Sequence, residues 1–454
     1  MPVHRENAQK HIAVFAFPFA THAVPLLSLV RKLSESAPDV NFSFFNTAQS
    51  NQSLFTMGNG FERIEPRSVD NGLPEGFRIG RNPHEPVEYF LKATPGNYKS
   101  AVAKSGLTFD ALITDAFYWF AKEMAEEMRV PWVPYFTAGP RPLLAHVETD
   151  NIRARMGING SEDETLEFLP GFSAIRSGDL PEGTVSGADS PFATLLHKMG
   201  QMLPHASAVA INSFEEIDPI VVQALKSRLP NLLNIGPFIL NSPPPCGSDI
   251  HGCLDWLDLR PTSSVTYISF GSVITPPPHE LKALAESLEA CEFPFLWSFR
   301  GNVEEMLPKG FLERTKEKGL IVPWAPQLKL LAHPSVGVFV THCGWNSVTE
   351  SIIGGVPMIC RAFFGEQKLN QRTVEAVWEF GVAIEGGKFT KNGTMKALKV
   401  ILSSDKGKLM REKIGVLKQL AFEAVDIDGS STANFNFLVE FITGTPSLGP
   451  VLRF

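Results

Sequence analysis

The sequence predicts an α/β protein with two doubly wound domains, each built on a parallel sheet. The chain has 454 residues, more than one hydrophobic core usually serves, so two domains are expected. In both halves, short apolar runs with strand character alternate with stretches whose apolar residues recur at helical spacing. Repetition of this unit predicts parallel strands joined by crossover helices, and ligands of such sheets bind at the carboxyl ends of the strands.

The first half contains three such units in order. The run HIAVFAFPF predicts a strand, and AVPLLSLVRKL after it predicts an amphipathic helix. The segments ALITDAFYWFAKEMAEEM and VPYFTAGPRPLLAHV each pass from strand-like to helix-like sequence. The Pro- and Gly-rich segment NSPPPCGSDIHG then interrupts the pattern near residue 240 and predicts a linker.

The pattern restarts after this linker. Strands are predicted at SVTYISFGS, FPFLWSF, GLIVPWA and SVGVFVT. Helices are predicted at HELKALAESLEA, at NSVTESIIGG, which should end at its glycines, and at the amphipathic TANFNFLVEFIT. The second half is therefore α/β as well.

Composition excludes several classes of function. A net charge of -7 with scattered Lys and Arg argues against nucleic acid and anionic membranes as partners. Five cysteines without a CxxC pair argue against a disulfide framework and a structural zinc site. With a polar N-terminus and no run of about 18 apolar residues, the expected location is cytosolic. The DxD at Asp426-Ile427-Asp428 follows a late helix, which favours a solvated loop over a metal site.

Polar residues follow one predicted strand of the second half. After SVGVFVT come His342, Gly344, Asn346 and Ser347, in the turn that opens a helix. Backbone N–H groups and the positive end of the helix dipole converge there, so a diphosphate could dock on this turn. The alternative is a capping box, in which the Ser347 and Glu350 side chains only satisfy the first backbone amides of the helix.

A candidate acid–base pair follows strands of the first half. His22 lies just after the first strand, and Asp115 ends the strand ALITD. An imidazole can accept a proton near neutral pH, and a carboxylate on its other nitrogen would set its tautomer. The alternatives are a surface histidine and an aspartate that caps a helix.

Residues 324–367 resemble the signature box of plant secondary-product glycosyltransferases, which use UDP-sugars. The phrases AFPFATHAVPLLSLVRKL, ITDAFYWFA, YFTAGP, LLNIGPF and FGSVITPPPHE are similar to flavonoid and anthocyanidin 3-O-glucosyltransferases. The resemblance implies the GT-B fold, two Rossmann-like domains facing across a cleft. It implies an acceptor-binding domain at 1–241, a linker at 242–252, a UDP-sugar-binding domain at 253–435, and a helix and tail at 436–454 that pack back on the first domain.

The same resemblance implies a role for individual residues. His22 and Asp115 match the catalytic base and its partner, Trp324 matches the residue that stacks on uracil, and Glu350 the one that holds the ribose. Trp345, Glu366 and Gln367 match the residues that read the sugar. The full donor set is Thr21, Thr137, Ser272, Trp324, Ala325, Gln327, His342, Trp345, Asn346, Ser347, Glu350, Glu366 and Gln367. The acceptor set is His22, His84, Phe117, His146, Phe192, Phe364 and Gly365.

The implied reaction is a single inverting transfer of glucose from UDP-glucose to the 3-hydroxyl of a flavonol or anthocyanidin. It needs no metal or other cofactor, and we expect a monomer. Three residues depart from the family pattern: Ala362 stands in place of proline, Glu366 in place of Asp, and His84 in place of a common Gln. We expect the loss of proline to loosen the loop, and the longer carboxylate of Glu366 to affect the choice of donor sugar.

Four alternatives stay open on this evidence. The donor could be a UDP-sugar carrying galactose, rhamnose or a pentose, and the acceptor could be another small phenol. A sugar-nucleotide epimerase of the same architecture would bind UDP without an aromatic acceptor. A binding protein that retains the nucleotide site without catalysis is the alternative from another functional class.

Overall fold

The computed structural model describes residues 9–19, 22–55, 61–74, 85–241, 248–271 and 274–444. The chain divides into two compact α/β units. The first unit comprises residues 1–158, 183–244 and 424–454, and the second comprises residues 159–182 and 245–423.

Each unit contains one parallel sheet. The first is seven-stranded, in the order β3-β2-β1-β4-β5-β6-β7, and the second is six-stranded, in the order β10-β9-β8-β11-β12-β13. The strands are β1 Lys10–Phe15, β2 Val40–Thr47, β3 Ile64–Val69, β4 Ala111–Asp115, β5 Trp132–Phe136, β6 Val209–Ile211, β7 Leu232–Asn234, β8 Val265–Ser269, β9 Phe295–Ser298, β10 Gly319–Val322, β11 Val336–Thr341, β12 Met358–Cys360 and β13 Gly381–Ala383.

Helices connect and cover these strands. They are α1 Ala23–Ser36, α2 Ala48–Phe55, α3 Glu85–Ser105, α4 Ala121–Met128, α5 Pro140–Val147, α6 Thr149–Met156, α7 Pro191–Met202, α8 Pro219–Lys226, α9 Phe238–Asn241, α10 Cys253–Asp258, α11 Pro278–Ala290, α12 Val303–Met306, α13 Phe311–Thr315, α14 Gln327–Leu331, α15 Trp345–Gly354, α16 Gln367–Arg372, α17 Lys391–Ser403, α18 Asp405–Val425 and α19 Ser430–Thr443. Among the described residues, no helix has both the length and the apolar character needed to cross a bilayer.

The strand order creates one switch point in each sheet, where the chain reverses the direction in which it adds strands. In the first sheet it lies between β1 and β4, which pair in parallel with Phe15 opposite Thr114. In the second it lies between β8 and β11, with Ser269 opposite Thr341. Loops that leave neighbouring strands at a switch point diverge and make room for a ligand. Side chains that follow these four strands are therefore the candidates for function.

The central strands are apolar because both of their faces are covered. Every residue of β4 and of β11 is buried, as expected for parallel strands between two helical layers. The α1 helix begins before Pro25, which is tolerated because a first-turn amide has no intrahelical partner. The α15 helix ends at Gly355, whose φ of 76° is left-handed, so the predicted glycine stop is confirmed.

The two units do not follow the predicted domain boundaries. Residues 159–182 precede the linker but belong to the second unit, where the Arg372 Nε donates to the Ala174 carbonyl at 2.8 Å. The chain returns to the first unit at residue 424 rather than 436. It does so because α19 buries Phe435, Leu438 and Ile442 in the apolar cluster of that unit. Of the predicted linker, residues 242–247 lie outside the described residues.

Candidate active site

A part-buried His22 and a buried Asp115 form a pair at the switch point of the first sheet. His22 immediately precedes α1, and Asp115 is the last residue of β4. The His22 Nδ1 lies 2.8 Å from the Asp115 Oδ2, and the Asp115 side chain is 1% exposed. The other oxygen, Oδ1, accepts the Phe117 backbone N–H at 2.9 Å. Asp115 is not a helix cap, because α4 begins only after Phe120.

Thr137 lies next to this pair. It follows β5, which neighbours β4 in the sheet, and its Oγ1 lies 3.3 Å from the His22 Nδ1. The sequence predicts a contact of Thr137 with the transferred sugar. The structure places its hydroxyl beside His22, and the contact with the sugar stays a prediction.

Phenylalanine rings surround His22. Its ring centroid lies 4.4 Å from that of Phe117 and 5.2 Å from that of Phe17. Aromatic edges and faces offer a flat polyphenol a large apolar contact. We call these rings the aromatic cluster, which comprises Phe17, Phe19, Phe90, Phe117 and Phe192.

Sequence reasoning identified only part of this cluster. Phe117 and Phe192 were predicted, and Phe192 remains 40% exposed. Phe17, Phe19 and Phe90 were missed. A signal for two of them existed, because Phe17 and Phe19 lie in the loop between β1 and His22. Phe90 carried no such signal, since it reaches the cluster from α3, far along the chain.

His146 lies in the packing between helices. It is 6% exposed, and its ring meets Phe136 edge-on at 6.3 Å. Its carbonyl oxygen would lie only 2.1 Å from a Cβ at Gly200, so α5 and α7 pack closely there. Burial lowers the pKa of His146 to about 4, which leaves the imidazole neutral near pH 7. Its acceptor role stays a prediction, and Thr21 and His84 lie outside the described residues.

In the second unit, the N-terminus of α15 lies at the other switch point. The N-cap residue is Gly344, which offers no side chain to the first amides of the helix. The backbone N–H groups of Trp345, Asn346 and Ser347 lie in the first turn of the helix, where an anion can bind. The capping box is wrong, because Ser347 lies within the helix and the Glu350 carboxylate accepts from Gln327 instead.

His342 is held between two glycines in front of this helix. A Cβ at Gly344 would lie 2.5 Å from the His342 Nε2, and one at Gly271 would lie 2.8 Å from its Cε1. Gly271 also has a φ of +72°, which disfavours any other residue. Burial lowers the pKa of His342 to about 4, so the imidazole is neutral near pH 7. Its predicted companion Ser272 lies outside the described residues.

The predicted base and ribose contacts form a hydrogen-bonded chain. The Tyr267 hydroxyl donates to the Gln327 Oε1 at 3.0 Å, and the Gln327 Nε2 donates to the Glu350 carboxylate. Burial raises the pKa of Glu350 to about 7. Trp324 is 44% exposed, as a stacking surface must be, whereas Ala325 is buried. Because the Gln327 side chain donates to the carboxylate, it orients Glu350.

The predicted sugar-reading residues lie at the start of α16. Glu366 directly precedes the helix and Gln367 opens it. The Gln367 side chain is 4% exposed, and its Oε1 accepts the Phe363 and Phe364 amides at 2.9 and 3.3 Å. Because that oxygen faces two donors, the Gln367 amide nitrogen is the end left for a ligand. Phe364 and Gly365, which are predicted to contact the acceptor substrate, lie just before these two residues. Phe364 is 52% exposed, and Gly365 has a φ of +62°.

The loop before α16 has a hydrogen bond at Ala362, the position where the resemblance implies proline. The Ala362 N–H donates to the Gln371 Oε1 at 3.0 Å, a hydrogen bond that proline could not make. This hydrogen bond takes the place of the constraint that proline would give, and the expected looseness of the loop stays a prediction. Trp345, predicted beside the sugar, is 4% exposed, and its ring lies 6.5 Å from that of Trp378.

Within the described part of the chain, no group of His, Cys, Asp and Glu side chains is arranged to hold a metal ion. The DxD at Asp426-Ile427-Asp428 lies between α18 and α19, with Ile427 83% exposed. This agrees with the predicted solvated loop. Cys253, Cys291, Cys343 and Cys360 are buried thiols.

Comparison with known proteins identifies the family. The family model described as "UDP-glucoronosyl and UDP-glucosyl transferase" matches residues 229–420. The chain is 54% identical over 443 residues to a flavonoid 3-O-glucosyltransferase of Medicago truncatula, covering 96% of this chain and 98% of that one. It is 50% identical over 454 residues to an anthocyanidin 3-O-galactosyltransferase of Actinidia chinensis var. chinensis, covering 98% and 99%.

A solved structure agrees with this assignment. The crystal structure of a UDP-glucose:anthocyanidin 3-O-glucosyltransferase in complex with UDP matches with a TM-score of 0.91 at 40% identity, over 96% of this chain and 100% of that one. With its two Rossmann-like units, the chain has the GT-B fold. It belongs to the UDP-glycosyltransferase family, whose members take a UDP-sugar as co-substrate.

Proposed function

We propose that this enzyme transfers glucose from UDP-glucose to the 3-hydroxyl of a flavonol or an anthocyanidin. The observation that supports this most is the His22–Asp115 pair, 2.8 Å apart and surrounded by the aromatic cluster. A phenolic hydroxyl needs a base as it attacks, and a flat polyphenol needs apolar ring surface. The relatives named above act on flavonoids and anthocyanidins at the same position.

His22 acts as the general base in this proposal. Its Nδ1 contacts the carboxylate, which favours the tautomer with hydrogen on Nδ1 and leaves Nε2 as the proton acceptor. As the acceptor oxygen bonds to the anomeric carbon, its proton passes to Nε2. The bond from that carbon to UDP breaks, and its electron pair leaves with UDP. Attack from the opposite side inverts the carbon and yields a β-glucoside.

Charge develops at both ends of this reaction. Asp115 stabilises the imidazolium that forms on His22, and because the carboxylate is only 1% exposed, little water screens it from the ring. The charge of departing UDP is held by the first amides of α15 and by neutral His342, since preorganised donors stabilise such charge well. Trp324 stacks on the uracil, and Glu350 accepts hydrogen bonds from the ribose.

Glucose is the donor proposed on the basis of Gln367, which matches the residue associated with glucose in the family. Relatives of this chain include glucosyl- and galactosyltransferases at 54% and 50% identity, so overall similarity does not select the sugar. A panel of UDP-glucose, UDP-galactose, UDP-rhamnose and UDP-pentoses against several flavonols, with NMR of the product, tests donor, acceptor and position together. A higher kcat/KM with another UDP-sugar would show that glucose is not the preferred donor.

The decisive experiment uses His22→Ala. We expect turnover to fall roughly 10²- to 10⁴-fold, while the Kd of UDP stays near that of the wild type because its proposed contacts lie in the second unit. His251→Ala, at an exposed histidine, is the control and should change neither. Turnover is read as released UDP and glycoside formed. Unchanged turnover in His22→Ala would place the base elsewhere.

The same assay separates the remaining candidates. A binding protein without catalysis would release no UDP in the presence of acceptor, whichever UDP-sugar is supplied. An epimerase would convert the sugar nucleotide without any acceptor. We also propose a monomer, because a single chain carries every residue used above. A larger mass in light scattering would refute this.

A further inference from the structure

Two glutamines on one face of α16 hold the loop in front of it. Gln367 and Gln371 are four residues apart, so their side chains lie one above the other on the helix. Gln371 accepts the Ala362 N–H at 3.0 Å, and Gln367 accepts the next two amides, those of Phe363 and Phe364. Three successive backbone donors of the loop are thus bound by two side-chain carbonyls.

The residue before this loop is anchored independently. The Arg361 backbone N–H donates to the Thr341 carbonyl at 2.9 Å. Its guanidinium binds both oxygens of Glu280, at 2.6 and 3.0 Å, and Glu280 is only 1% exposed. Paired, planar contacts of this kind fix orientation as well as distance. The Nη1 of the same guanidinium donates to the Ala362 carbonyl, so Arg361 and Gln371 hold the two backbone polar groups of Ala362 from opposite ends of the loop.

The hydrogen bond to Gln371 holds the N–H of Ala362, the first residue of the loop 362–366. Gln367 can direct its amide nitrogen at a ligand only while its oxygen stays on the Phe363 and Phe364 amides. The position of those amides depends in turn on where Ala362 is held. A small displacement of these amides matters, because it would leave the buried Gln367 side chain without its hydrogen bond to the sugar. Buried polar groups that lose such a partner change strongly which ligands a site accepts.

We propose that Gln371 is a positioning residue for the donor sugar. By accepting the Ala362 N–H it sets the backbone of residues 362–366, and with it the direction of the Gln367 amide and the Glu366 carboxylate. Gln371 is not a catalytic residue, since it acts through the loop. The proposal rests on the proposed function, in which residues 366 and 367 contact the sugar.

The test compares the affinity for UDP-glucose with that for UDP alone. Gln371→Ala should raise the Kd of UDP-glucose roughly three- to tenfold, the effect of one lost hydrogen bond, with little change for UDP. It should also change the ratio of kcat/KM for UDP-glucose over UDP-galactose. Gln371→Glu retains an acceptor oxygen and should restore much of the affinity. Gln419→Ala, at an exposed glutamine of α18, is the matched control and should leave both affinities unchanged.

A double-mutant cycle with Ala362→Pro assigns the effect to this hydrogen bond. Proline has no N–H, so Gln371→Ala should add nothing in the Ala362→Pro background. Equal effects of Gln371→Ala in both backgrounds would overturn the proposal. So would a parallel loss of UDP and UDP-glucose binding, or a lowered Tm with an unchanged donor ratio. The affinity ratio needs no acceptor and no turnover, so it can be measured even if the proposed flavonoid transfer fails.

Discussion

At the scale of single residues, Asp115 determines what His22 can do. Asp115→Asn keeps the size of the side chain but removes its charge, and its amide can donate to Nδ1 and so favour the wrong tautomer. We expect kcat to fall roughly 10²- to 10⁴-fold with little change in the Kd of UDP. Steady-state kinetics and UDP titration measure the two effects. Asp39→Asn, at an exposed aspartate, is the control, and near-normal turnover in Asp115→Asn would contradict the pairing.

The raised pKa of Glu350 predicts that the affinity for the donor depends on pH. Burial raises its pKa to about 7, so the group is mostly neutral below pH 7 and mostly ionised above it. A carboxylate accepts hydrogen bonds from ribose hydroxyls better than a neutral acid does. We therefore expect the Kd of UDP-glucose to decrease as pH rises from 6 to 8. His342, whose pKa burial lowers to about 4, stays neutral over this range.

Calorimetric titration at several pH values checks this. UDP-glucose is preferred to UDP as the ligand because a terminal phosphate itself titrates near pH 6, which would obscure the result. Glu350→Gln should abolish the pH dependence while weakening binding. The same dependence in that variant would mean that another group titrates.

At the scale of elements, the N-terminus of α15 needs its glycine. A Cβ at Gly344 would lie 2.5 Å from the His342 Nε2, so Gly344→Ala must displace the imidazole. We expect the Kd of UDP to rise about tenfold or more, the result of losing one charge-assisted contact of about 1.5–3 kcal/mol. Isothermal titration with UDP measures it.

Gly415→Ala is the matched control for this substitution. Gly415 lies in α18, and a Cβ there meets nothing within 4 Å. Alanine in a helix interior is favoured over glycine by roughly 0.5–1 kcal/mol, so this variant should be slightly more stable and bind UDP normally. Normal UDP binding in Gly344→Ala would show that His342 is not part of the site.

At the scale of the whole molecule, the end of the chain completes the core of the first unit. The α19 residues Phe435, Leu438 and Ile442 join the apolar cluster that contains α1 and β1. Leu438 is fully buried, and Leu438→Ala should lower the free energy of unfolding by about 2–5 kcal/mol. Denaturant unfolding measures it. Leu409→Ala, at a residue that is 55% exposed, should have little effect.

The affinity for UDP is a second measurement that tests this prediction. The residues proposed to bind UDP lie in residues 324–367, within the second unit. Leu438→Ala should therefore leave the Kd of UDP unchanged at temperatures where the protein remains folded. A loss of UDP affinity in Leu438→Ala would show that α19 also affects the second unit.

The sequence by itself determined the fold class, and it named most of the residues from which the site is proposed. Long apolar runs such as β1, β4 and β11 carry their strand signal locally, and His22 and Asp115 stand directly beside such runs. Three-residue strands such as β6 and β7 carry too little periodicity to be recognised. The signature at residues 324–367 is contiguous, so its residue spacing alone could be matched.

Only the tertiary structure decided which residues touch across long stretches of chain. Phe90 joins the aromatic cluster from α3, and residues 159–182 join the second unit, because packing of distant segments leaves no local pattern. The capping box at Ser347 was wrong because local sequence cannot tell whether Gly344 or Ser347 ends the turn. The hydrogen bond from Ala362 to Gln371 could not be predicted, because no residue spacing specifies how the α16 side chains lie against the loop before the helix.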